Sequence, residues 1–77
     1  MPRRDYNLPA PDDPAFDRAA AYALLEAARV SETQLAERAT GYLWGEPKLR
    51  AYVEAALAEA ERAGDERLET VARRYLR

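Results

Sequence analysis

Apolar residues recur at three- and four-residue spacings in four stretches of the chain, and turn-forming residues separate the stretches. The clearest is Leu49, Tyr52, Val53, Ala56, Leu57 and Ala60. It predicts a helix over residues 46–63 that starts at Glu46 or Pro47 and is stopped by Gly64. Asp65 then reads as the N-cap of a helix over 65–76, with Leu68, Val71, Ala72, Tyr75 and Leu76 as its inner stripe. The short connector makes this pair an antiparallel hairpin. Upstream, Asp13 and Pro14 suit the first positions of a helix over 14–29. Ser31-Glu32-Thr33-Gln34 fits a capping box that opens a helix over 31–40, closed by Gly41, with Leu35, Ala36 and Ala39 as its apolar face. The expected fold is therefore all-α: a compact four-helix domain over 14–77, preceded by an arm over 1–13. Three of the five prolines fall in that arm, so Leu8-Pro9-Ala10-Pro11 is expected to be extended.

Two features depart from simple amphipathic helices. The first helix is apolar on two sides. Phe16, Ala20, Ala23, Leu24 and Ala27 make one stripe, while Tyr22 and Leu25 fall on the far side beside Arg18 and Arg29. A second apolar face needs a cover, either another chain or the protein's own arm through Tyr6 and Leu8. Tyr and Arg are also the types enriched at interface hot spots. This makes Arg18, Tyr22, Leu25 and Arg29 the candidate partner-binding residues. The second feature is Tyr42-Leu43-Trp44, three large apolar residues between Gly41 and Gly45. They are expected to plug the junction between helices, with Trp44 as the anchor.

Composition removes most chemistry. The chain has 77 residues, no cysteine and no histidine. Disulfides, thiolate metal sites and the usual general base are absent. Ser31 is the only serine and is assigned to a cap, and Lys48 is the only lysine. No nucleophile has a base, so the chain is not expected to be an enzyme. The acidic pairs Asp12/Asp13 and Asp65/Glu66 sit at helix starts, where they suit the dipole, and lack the ligand spacing of a calcium loop. No metal, cofactor or small-molecule ligand is expected. The longest purely apolar run, over 19–25, is too short to span a bilayer, and the N-terminal residues lack the apolar core of a signal peptide. A cytoplasmic location is the expectation. The preference for arginine and alanine suggests a GC-rich, bacterial source.

Two functions remain. A core this small is marginal, and association would add to its stability. The leading expectation is thus a protein–protein interaction module, a homodimer or an accessory adaptor subunit of a larger assembly. The alternative is a helix-turn-helix DNA-binding regulator or antitoxin. Thr33-Gln34-Leu35-Ala36-Glu37-Arg38-Ala39 reads like the first helix of such a motif, with Lys48 and Arg50 opening the recognition helix. Against it stand the long connector over 41–46, the flanking Glu46 and Glu54, and a net charge of −2.

Overall fold

The computed structural model describes residues 8–77. Arg3, Arg4 and Tyr6, and with them most of the expected arm, lie outside the described residues. The fold is all-α: α1 (Phe16–Arg29), α2 (Thr33–Thr40), a 3₁₀ turn η1 (Pro47–Leu49) that runs directly into α3 (Arg50–Ala63), and α4 (Glu66–Leu76).

Each helix boundary has a local cause. Asp13 Oδ1 accepts from the Ala15 N–H at 2.8 Å, and the Asp13 carbonyl accepts from Phe16 at 2.9 Å. Asp13 therefore closes a turn ahead of α1, and the N-cap expected at Asp13 falls instead on Ala15, without a side-chain bond, with regular helix starting at Phe16 and not Pro14. A turn between Ala10 and Asp13, closed by a 2.9 Å backbone bond, interrupts the expected extended run. At the other end of α1, the Glu32 N–H reaches the Ala27 carbonyl at 2.8 Å and the Ser31 N–H points to Ala28 at 3.5 Å. This is a Schellman closure, and it places Ser31 at φ 60°. Ser31 thus ends α1 and does not cap α2, whose N-cap is Glu32 without a side-chain bond. The same closure recurs at Gly64, where the Asp65 N–H donates to Ala60 at 2.9 Å. There the expected cap is present: Asp65 accepts from the Leu68 N–H at 3.1 Å.

The helix α1 is central. It packs against α2 on one side and against η1, α3 and α4 on the other, while α3 and α4 form the most extensive pair. Seven of its residues are buried, among them Ala21 and Leu25 as well as the expected Phe16, Ala20, Ala23, Leu24 and Ala27. Eight of the fifteen buried apolar residues are alanine, and only Leu24, Leu25, Leu49 and Val53 are large side chains that are wholly enclosed. Such a core lets helices approach closely but leaves modest apolar area to stabilise them.

The helix α2 is the least embedded element. It packs against α1, and its backbone comes close to neither η1, α3 nor α4. Ala36 and Thr40 are its buried residues; Leu35 remains 45 % exposed and Ala39 is exposed. The expected Leu35-Ala36-Ala39 face is therefore rotated. Thr40 takes the inner place because its hydroxyl donates to the Ala36 carbonyl at 2.8 Å and accepts from the Tyr42 N–H at 3.1 Å.

Candidate interaction surface

The four residues expected to share one outer surface do not do so. Leu25 is fully buried, so it cannot meet a partner. The reason lies in the helix count around α1. Tyr22 and Arg18 line a hollow with Glu59, Ala60 and Leu68, and Arg29 lines another with Arg67, Thr70 and Val71. The α3–α4 hairpin therefore borders this side of α1 along its length, and Leu25 lies beneath it. Tyr22 is half-buried, and its hydroxyl donates to Glu59 at 3.3 Å, tying α1 to α3. Arg18 is exposed, and Arg29 approaches Glu26 at 3.7 Å across one turn. Leu8 packs against the core, so the end of the arm does contribute cover.

The Tyr42-Leu43-Trp44 segment divides. Tyr42 and Trp44 turn inward and Leu43 outward, at 69 % exposure. Trp44 meets the Tyr75 ring edge-on at 4.9 Å, and its backbone N–H donates to the Glu37 carboxylate at 2.8 Å. Tyr42 lies 6.3 Å from Phe16 between ring centroids and donates its hydroxyl proton to Asp17 at 2.7 Å. That hydrogen bond holds the Tyr42 phenol above its ordinary pKa. Tyr75 donates to the Glu46 carbonyl at 2.9 Å. Burial, reinforced by the nearby Glu46 carboxylate, pushes its phenol up to about 12. The expected plug thus exists, built from Tyr42, Trp44 and Tyr75, with Leu43 left in water.

The nucleic-acid candidates point elsewhere. Lys48 is exposed, with its ammonium 5.8 Å from the centre of the Tyr42 ring. The Arg50 guanidinium donates to the Leu76 carbonyl at 3.3 Å and so closes the C-terminus of α4. Because α2 and α3 do not approach each other, they do not form the crossed helix pair of a helix-turn-helix. Among the described residues, no group of three or more carboxylates is placed to hold a metal ion, and no helix is long and apolar enough to cross a membrane.

One surface missed by helical periodicity is a groove between α2 and α4. It spans about 550 Å³ and is lined by Ala28 of α1, Leu35 and Arg38 of α2, Trp44, and Arg74 of α4. It adjoins a second hollow of about 340 Å³, which shares Ala28 and Arg74 and adds Arg29 and Arg67. The signal in the sequence was Leu35, an apolar residue at a helix start, but it was counted toward the inner face. The chain as a whole matches no protein-family model, and no curated protein or solved structure is measurably similar to it.

Proposed function

We propose that the chain is a small protein–protein interaction module that works in the cytoplasm, either by self-association or as an accessory subunit of a larger assembly. The observation that carries this reading is the outer side of α2 and its flanking turns. Val30, Leu35 and Leu43 are 55, 45 and 69 % exposed, and all three lie just before, on or just after the one helix that packs against α1 alone. A single exposed leucine is ordinary. Three around one loosely held element, in a protein whose core is half alanine, supply apolar area where docking would stabilise most.

The test is native mass spectrometry of the tagged chain purified gently from its own cells, beside a Leu35→Glu/Leu43→Glu variant. The expected result is a complex of defined stoichiometry, or a dimer, that the variant loses while its circular dichroism stays helical. Monomer alone in both forms would refute the proposal.

A further inference from the structure

The groove between α2 and α4 differs in charge from the rest of the molecule. The chain carries a net −2, yet among the described residues the two adjoining hollows are lined by four arginines and two glutamates, Glu32 and Glu66. Among the described residues, the ion pairs occupy Arg29 and Arg73; Arg38, Arg67 and Arg74 take part in none. The Arg18–Tyr22 hollow contrasts with this, because Glu59 and Asp65 line it beside a single arginine. The groove's apolar lining is Ala28, half-exposed Leu35 and half-buried Trp44, beside the polar Ser31, Thr33 and Gln34.

We infer that this groove docks a short acidic amphipathic segment of a partner protein. Its apolar side chains would cover Leu35 and Trp44, and its carboxylates would pair with Arg38 and Arg74 and, at one end, with Arg67. Charge complementarity selects this occupant. Guanidinium forks match carboxylates in pairs, and partial removal from water strengthens each pair. A phosphate backbone fits less well, because Glu32 and Glu66 stand among the arginines and the floor offers an aliphatic surface. The volume of about 550 Å³ takes a few side chains and not a whole domain, so the groove recognises a segment. Specificity follows from the geometry: Arg38 comes from α2 and Arg74 from α4, two helices whose backbones do not come close to each other. The segment would therefore bridge them and hold α2 in place.

This inference depends on the interaction-module reading, and the experiment separates the two. The full chain, immobilised, is used to select binders from a random peptide display library, with the Arg38→Glu/Arg74→Glu and Ala55→Glu variants selected in parallel. Circular dichroism checks that each is folded. The expected consensus has Asp or Glu flanking Leu, Ile or Phe. A synthetic consensus peptide should bind about tenfold or more weakly to the double arginine variant. Binding should also weaken as salt is raised, remain unchanged for Ala55→Glu on the exposed face of α3, and shift the emission of Trp44, the only tryptophan. A consensus without acidic residues, or binding that the arginine variant leaves unchanged, overturns the groove assignment while leaving an interaction module standing. No enrichment from the library likewise overturns the groove assignment, whereas the interaction module falls only if native mass spectrometry shows monomer alone. A fluorescent single-stranded oligonucleotide is titrated as a control; tighter binding of it than of the peptide, lost in the same arginine variant, overturns the protein-segment assignment.

Discussion

Ser31 holds a left-handed φ of 60° with a side chain attached, in a position where a Schellman closure favours glycine. The conformation costs a non-glycine residue on the order of 1 kcal/mol. Ser31→Gly is therefore expected to raise the urea midpoint, by about 0.5–1 kcal/mol in stability, and Ser31→Val to lower it. Tyr75 makes a second residue-level case. Its folded pKa of about 12 lies above the value of 10.0 expected for an unperturbed tyrosine. The unfolded chain loses the phenol proton first, so the stabilisation is complete below pH 10 and is lost as pH rises toward 12. Guanidinium midpoints measured across that window should fall more steeply for the native chain than for Tyr75→Phe. At pH 7 the Phe variant should lose about 1 kcal/mol, because the Glu46 carbonyl no longer receives its hydrogen bond.

Leu25 and Leu35 show what helical periodicity can and cannot say about an element. A stripe gives a residue's place around its own helix and does not reveal what stands opposite it. Leu25 met the α3–α4 hairpin and is fully buried; Leu35 was set toward the core and is 45 % exposed. Thr40 was passed over because a hydroxyl reads as polar, although its two local bonds let it fill the inner place. The boundaries that depend on backbone conformation alone, at Gly41, Gly64 and Asp65, were readable because glycine and aspartate have direct roles in closing and opening helices. Ser31 was misplaced because the same residue type suits a cap. Substitution separates the two leucines plainly. Leu25→Ala is expected to cost about 2–5 kcal/mol in chemical denaturation, whereas Leu35→Glu should stay within about 0.5 kcal/mol.

Across the protein, packing is uneven. The helices α3 and α4 are joined by their own interface, and Arg73 links Glu61 at 2.8 Å and Glu69 at 2.9 Å on the outside. By contrast, α2 depends on α1 and on the Glu37–Trp44 and Thr40–Tyr42 bonds that follow it. Amide hydrogen exchange in the free chain should therefore be faster in α2 than in α3 and the centre of α1. Docking along the α2–α4 groove should slow α2 selectively. A protein in which α2 is already as protected as α3 would leave no role for a partner in holding it.

The account stands or falls on whether the α2 side is covered by another protein in the cell. A photo-cross-linking amino acid placed at Leu35, and separately at Ala55 on the exposed face of α3, reads this in the producing cells. The expected result is a covalent adduct of discrete mass from position 35, lost when Arg38→Glu/Arg74→Glu is added, and none from position 55. Illumination that gives no adduct from position 35, or equal adducts from both positions, would contradict it.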